Sequence, residues 1–452
     1  MNTLNAASLI AEDRRALLHP LYHPADHATP HVWVKGRGAV LTDADGREYI
    51  DGLSCLWNVN VGHGRRELAE AAAEQMATLA YSTNYVGSSN VPAIKLAARL
   101  KEIAYPNLVA TYFASGGAEA DESAFKTARF YWKAKGRPTK VKIISRQYGY
   151  HGLTLAAMSA TAVPGFAKMF EPRVPNFIHT ATAYPYRQEG MKPGETVGQA
   201  AARQLEETIL QEGPDTVAAV IAEPVQGAGG VIVPSDDYFP LVRAICTKHD
   251  VLFIADEVIT GFCRTGDWFA LKRWGVQPDI LAFAKGITSG YLPLGGIMVS
   301  QPILDAMLSV PYGDRWMHAY TYSGHATCCA VGLRNLEIME KEGLAERAAT
   351  RGARLLAGMK TLLEFKAVGE VRGLGLMVGV ELVADRTTKA PFDPAKKIID
   401  KVRLEMEPRG VYTRAVRGVL AFAPPLVITE AQVDKLVEAM RGALQAVVPE
   451  KA

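Results

Sequence analysis

Five short runs in the middle of this 452-residue chain are apolar almost without interruption: "VKIIS" from Val141, "TVAAVIAEP" from Thr216, "VLFIADEV" from Val251, "DILAFA" from Asp279 and "GGIMVS" from Gly295. A strand with one wet face alternates apolar and polar residues, whereas a strand covered on both faces has no need to. Other segments carry helical spacing: "RELAEAAAEQMATLA", "VPAIKLAARLKEIA", "GAEADESAFKTARFYWKAKG" and the amphipathic "DDYFPLVRAICTKHD". Covered strands alternating with helices predict an α/β fold whose mainly parallel sheet has helices on both faces.

The length exceeds what one core usually supports, so more than one domain is expected. "HVWVKGRGAVLTDADGREYIDG", from His31, alternates around the turn "DADG" and predicts a small antiparallel β-meander. After about Ala330 the pattern predicts a long helix, then "GEVRGLGLMVGVEL", a strand pair near "VYTRAV" and "VLAFAPPL", and a closing helix from Thr429. The sequence thus predicts a large α/β domain over residues 61–330. A smaller α+β domain is expected from residues 1–60 together with 331–452.

Charge and cysteine content exclude several classes of function. A formal net charge of +3, with no Lys/Arg block, gives no reason to expect nucleic acid or an anionic membrane as partner. No apolar stretch is long enough to span a bilayer, and the first twenty residues carry acids without a secretory h-region. Five cysteines without a C-x-x-C argue against a disulfide framework and against a zinc site. The expectation is a cytoplasmic protein with no metal.

In an open parallel sheet the ligand lies beyond the carboxyl ends of the strands. Here "VAAVIAEP" runs into Glu223, "VLFIADEV" into Asp256 and "DILAFA" into Lys285. One lysine at a strand end usually just reaches water. Three ionisable groups at the same point of three strands suggest a site instead. A lysine amine condenses with an aldehyde to form a Schiff base. Pyridoxal phosphate (PLP) is an aldehyde cofactor that also needs a carboxylate, which keeps its pyridine nitrogen protonated so that the ring can take up electrons. "FASGGAEADE" places small residues at the start of the long helix, where backbone N–H groups favour a phosphate. "QYGYHG" supplies Tyr148, Tyr150 and His151 as stacking candidates for a flat ring.

The set "SGGAEADESAFKTAR", "YGYHG", "AEPVQGAGG", "ADEVITGFCRTG", "AFAKGITSGYLPLGG" and "TYSGHATCCAV" resembles the class III (ω-amino acid) aminotransferases of PLP fold type I, and the likeness runs in order along essentially the whole chain. The resemblance implies that Lys285 carries the Schiff base and shuttles the proton, and that Asp256 holds the pyridine nitrogen. Val258 and Tyr150 flank the ring, Gly117 and Ala118 give N–H groups to the phosphate, and Glu223 and Gln226 support the ring hydroxyl and the pyridine side. Thr321 reaches the phosphate of a neighbouring subunit, which implies a homodimer with shared sites and leaves a homotetramer open.

"LWNVNVGHG" looks like the amine:pyruvate and ω-amino acid:pyruvate subgroup. By that likeness Trp57, Tyr85 and Leu21 form a mainly apolar substrate pocket. Arg414 pairs with a substrate carboxylate, while Arg417 is expected at the surface. The implied reaction moves an amino group from an ω-amino acid, diamine or primary amine to a 2-oxo acid, pyruvate, by a ping-pong cycle. An aminomutase or racemase of the same fold and a non-catalytic PLP-binding regulator are the alternatives. Two positions depart from the family pattern. Ala118 replaces a serine of many relatives, which removes a phosphate hydrogen bond of about 1–3 kcal/mol. Asp121 stands where asparagine or an apolar residue is frequent, and nothing in the sequence accounts for it.

Overall fold

The computed structural model describes residues 5–27 and 30–451; residues 1–4, 28, 29 and 452, which belong to the expected terminal segments, lie outside the described residues. In chain order its strands are β1 (Trp33–Arg37), β2 (Val40–Asp43), β3 (Glu48–Asp51), β4 (Leu108–Ala114), β5 (Lys142–Arg146), β6 (Phe177–Thr180), β7 (Val217–Ala222), β8 (Leu252–Asp256), β9 (Ile280–Phe283), β10 (Gly295–Ser300), β11 (Val368–Gly373), β12 (Val378–Leu382), β13 (Val411–Tyr412), β14 (Arg414–Val416) and β15 (Val419–Phe422).

Seven of them form one sheet in the order β4-β10-β9-β8-β7-β5-β6. Neighbours from β9 to β6 are parallel, while β10 runs antiparallel to both β9 and β4. Every residue of β7, β8, β9 and β10 is buried. Successive side chains point to opposite faces, and the two faces have separate covers. Ile143, Ile221, Ile254 and Ala282 cluster with Ala120, Ala124, Phe125 and Ala128 of the helix Gly117–Ala134. Their immediate neighbours Ile144, Val220, Phe253 and Leu281 cluster with residues of the helices Val197–Glu212 and Tyr238–Lys248. That two-sided burial is why the runs need no alternation. Each fully buried Val, Leu or Ile contributes about 1.5–3 kcal/mol relative to exposure.

The meander forms as β1-β2-β3, its turn closed by Asp43 Oδ1, which accepts from the N–H groups of Asp45 (3.0 Å) and Arg47 (2.9 Å). β13 lies parallel to β3, pairing Val411 with Ile50, so one sheet joins the two ends of the chain. The third sheet has the order β11-β12-β15-β14.

Two expectations are corrected. The strand pair near "VYTRAV" and "VLAFAPPL" forms as antiparallel β14–β15. But "VYTRAV" is not one strand: β13 and β14 belong to different sheets, divided at Thr413, whose hydroxyl donates to the Ala421 carbonyl. The single long helix after about Ala330 is two, Ala326–Lys341 and Leu344–Lys360, because Gly343 takes a left-handed φ of 59° that cannot continue a helix.

Buried Arg264 ties the ends of the chain to the large sheet. Its Nη1 donates to the Pro424 carbonyl (2.6 Å), and its Nη2 donates to Ser54 Oγ (2.9 Å) and Asn60 Oδ1 (2.7 Å). Burial pulls its pKa down to about 9.

Candidate active site

At the carboxyl ends of β7, β8 and β9 lies a cavity of about 460 Å³, lined by Glu223, Asp256 and Lys285 together with Gly117, Ala118, Tyr150 and Val258. Lys285 directly follows Ala284 at the end of β9 and is half-buried. Its φ of 46° is left-handed, a conformation a non-glycine residue holds only when its surroundings impose it. Asn335 imposes part of it by donating from Nδ2 to the carbonyls of Gly286 (2.8 Å) and Ile287 (2.9 Å). Burial lowers the Lys285 pKa against the opposing pull of Asp256, Glu223 and Asp121. The amine is thereby brought closer to its neutral, nucleophilic form.

Asp256 is 3% exposed, accepts from Val258 N–H at 3.0 Å through Oδ1, and meets His151 Nδ1 at 2.7 Å through Oδ2. Glu223 Oε1 accepts from Tyr150 N–H (2.9 Å) and Oε2 from Gly227 N–H (3.2 Å), which fixes the backbone that carries the Tyr150 ring. Burial raises the Glu223 pKa to about 7.

The helix Gly117–Ala134 begins at the cavity with no side-chain cap, because its cap residue is Gly116. Such a helix start is an anion cradle. The approach there is close. A Cβ at Gly117 would come within 2.9 Å of Val258 Cγ1, and one at Gly152 within 2.6 Å of Ala118 Cβ. One aromatic wall, one aliphatic wall, a lysine, a buried carboxylate and an uncapped helix start fit a flat ring with an aldehyde, a ring nitrogen and an anionic arm. PLP is such a molecule.

The family model for class III aminotransferases matches residues 21–444. This chain belongs to that family. It is 41% identical over 442 residues to the diaminobutyrate–2-oxoglutarate transaminase of Halomonas elongata, covering 95% of this chain and 94% of the relative. It is 37% identical over 424 residues to the putrescine–pyruvate aminotransferase of Pseudomonas aeruginosa, with 94% and 92% covered. A crystal structure of a thermostable (S)-enantioselective ω-transaminase from Thermomicrobium roseum superposes with a TM-score of 0.95 at 48% identity, over 98% of this chain and 99% of that one. The chain is therefore a PLP-dependent class III transaminase of fold type I.

Other expected site residues of this class III aminotransferase stand away from the cavity wall. Trp57 is 4% exposed and belongs to a buried cluster with Leu53, Val225, Ile259 and Met377, of which only Ile259 lines the cavity. Leu21 is 58% exposed and lines a second cavity of about 770 Å³ with Tyr22, Phe166 and Phe170; Leu153 lines both cavities. Tyr85 is exposed at a turn closed by Ser88 N–H. Thr321 is exposed, its carbonyl accepting from the Tyr81 hydroxyl at 2.7 Å.

Arg414 is exposed on β14, and its charge opposes the burial that raises the Tyr150 pKa. Gln226 is buried and engaged elsewhere, donating to the Gln147 carbonyl (2.9 Å) and accepting from Thr182. Arg417, expected at the surface, is exposed yet tethered: its guanidinium lies 3.4 Å from the Tyr148 ring centre and donates to the Gly229 carbonyl (2.8 Å).

Two residues of the cavity wall had no proper place in the sequence reading. His151 stands there as a stacking candidate but is the partner of Asp256. The signal was available, since a buried aspartate at a strand end requires a donor. Asp121 is 1% exposed on the helix face that also carries Ala124, Phe125 and Ala128. A carboxylate inside an apolar stripe of helical spacing was the signal for it.

Proposed function

We propose that this transaminase moves an amino group from an ω-amino acid, diamine or primary amine to pyruvate in two half-reactions, with Lys285 as the Schiff-base residue. The observation that carries the reading is Lys285, held in a left-handed conformation at the end of β9, on one cavity with Asp256 and Glu223. When bound, PLP supplies the carbonyl that takes the amine and the ring that holds the electron pair freed at the substrate carbon.

The protein's own groups do the rest. Lys285 Nζ, with its depressed pKa, takes and returns the proton at the substrate Cα. Asp256 faces the ring nitrogen; its two N–H partners leave further lone pairs on both oxygens for that contact. Tyr150 and Val258 bound the two ring faces, and the N–H groups of Gly117 and Ala118 take the phosphate.

Arg414, exposed in the single chain, offers a guanidinium fork to a substrate carboxylate. Exposure of Thr321, Tyr85 and Leu21 fits a second copy of the chain, whose Thr321 reaches the first copy's phosphate. Pyruvate as acceptor is supported by the putrescine–pyruvate relative, and the diaminobutyrate relative makes 2-oxoglutarate the competitor to test. A cytoplasmic location agrees with five free cysteines; among the described residues no helix is long and apolar enough to cross a membrane.

The test has two parts. Borohydride reduction of the PLP-loaded protein should leave the cofactor attached to Lys285, read by peptide mass. A panel of amines against both oxo acids should then show turnover with pyruvate and little with 2-oxoglutarate. Cofactor trapped elsewhere, or equal rates with both acceptors, would overturn the corresponding half of the reading.

A further inference from the structure

Asp121 is an acid of the cavity to which the proposed reaction gives no role. It stands in the first turns of the helix Gly117–Ala134, and one oxygen each of Asp121 and Asp256 and one ring nitrogen of His151 lie within 4.8 Å of one another. All three residues are buried. No lysine or arginine of the described residues makes an ion pair with either carboxylate, and Asp121 Oδ1 has no hydrogen-bond partner. Two carboxyl groups this close and this buried resist ionising together. Donors decide which keeps its proton. The oxygens of Asp256 meet the Val258 N–H and the His151 ring, and Asp121 has neither, which leaves Asp121 as the acid that holds a proton.

We propose that Asp121 is a positioning residue for the cofactor: a proton-bearing acid that donates to the Asp256 carboxylate and sets how much negative charge Asp256 presents to the pyridine nitrogen. This rests on the role of Asp256 given above. The proton on Asp121 also limits the negative charge of a cavity that already holds Glu223 and Asp256 against Lys285. Burial first, and Asp256 second, drive the Asp121 pKa well above the aspartate range.

Full-length Asp121→Ala, Asp121→Asn and Asp256→Ala test it by PLP dissociation constant and by melting of the apoprotein from pH 5 to 9. Asp121→Ala should weaken PLP about ten-fold, the usual effect of losing a hydrogen bond to a charged group. Asp121→Asn, whose amide N–H still donates to Asp256, should return to within about three-fold of wild type. The sign of the pH effect is fixed, because a folded-state pKa above the unfolded one means stability is lost as pH rises. Asp121→Asn should therefore flatten the fall in melting temperature, leaving the part due to Glu223, which titrates nearby.

Wild-type affinity in Asp121→Ala, with an unchanged pH slope in Asp121→Asn, overturns the inference while Asp256→Ala still weakens PLP. If Asp121→Ala does not fold, the slope in Asp121→Asn decides, an unchanged slope being the refutation. If Asp256→Ala binds PLP as tightly as wild type, the role of Asp256 is wrong and this inference falls with it.

Discussion

On the floor of the cavity, Glu223 and Asp256 are each 3% exposed and their oxygens are held by the N–H groups of Tyr150, Gly227 and Val258 and by the His151 ring. On the rim, Leu21 is 58% and Tyr85 49% exposed, and Thr321 and Arg414 are exposed as well. The floor is complete within one chain because the sheet that carries it must exclude water to be stable at all. The rim residues are not brought to the cavity by this chain's own packing. On the proposed roles, ring chemistry is built into the folding core, while the substrate contacts of Leu21, Tyr85 and Arg414 and the partner copy's phosphate contact are left to parts that the core does not fix.

Lys285→Ala tests the floor most directly and should show the largest effect. If Lys285 moves the proton as proposed, its removal should lower transfer by at least about 10³-fold with the fold intact, read by single-turnover rates and circular dichroism. Retained transfer would mean that the floor is not the chemical centre.

Trp57 lies between the two regions and can break the division. As a core residue its change to alanine should cost about 3–5 kcal/mol by denaturant unfolding. A cost under about 1 kcal/mol with an altered donor preference would move Trp57 to the rim.

Glu223 sharpens the account of the floor through pH. Its folded-state pKa of about 7 lies above the ordinary 4.5, so stability is fully present below that ordinary value and is lost as pH rises through 7. The loss is up to about 3 kcal/mol. Glu223→Gln should flatten the melting temperature between pH 5 and 8. An unchanged slope would mean that Glu223 is ionised in the folded protein.

Arg414→Ala should have the smallest effect, as the group is exposed. The KM for pyruvate should rise about ten- to hundred-fold, the range for a charge-assisted contact, with a neutral amine donor spared and PLP absorbance unchanged. Arg414→Lys should recover only part, since a point charge does not reproduce the fork. Unchanged pyruvate KM would take Arg414 off the rim.

The covered strands were legible because burial on two faces leaves its mark on every residue of β7 to β9. Lys285, Asp256 and Glu223 were legible for a related reason: strand ends in a parallel sheet share one edge, so position along three separate runs predicted proximity. The division of "VYTRAV" was not legible, since Val411 pairs with a strand more than 350 residues earlier, Ile50 of β3. Nor was the break at Gly343, which a glycine permits but does not require.

The sequence by itself determined that five covered runs build a mainly parallel sheet, which of them end in ionisable groups, and the family, because local patterns of burial and spacing encode them. The sequence signalled that Asp256 needs a donor and that Asp121 is out of place. Tertiary structure decided that His151 meets Asp256 and that Asp121 lies near both, since these contacts join segments distant in the chain. It also decided that Trp57 packs in the core and that Arg417 lies on Tyr148. A side chain's partner depends on which elements meet and at what angle, and no local pattern records that.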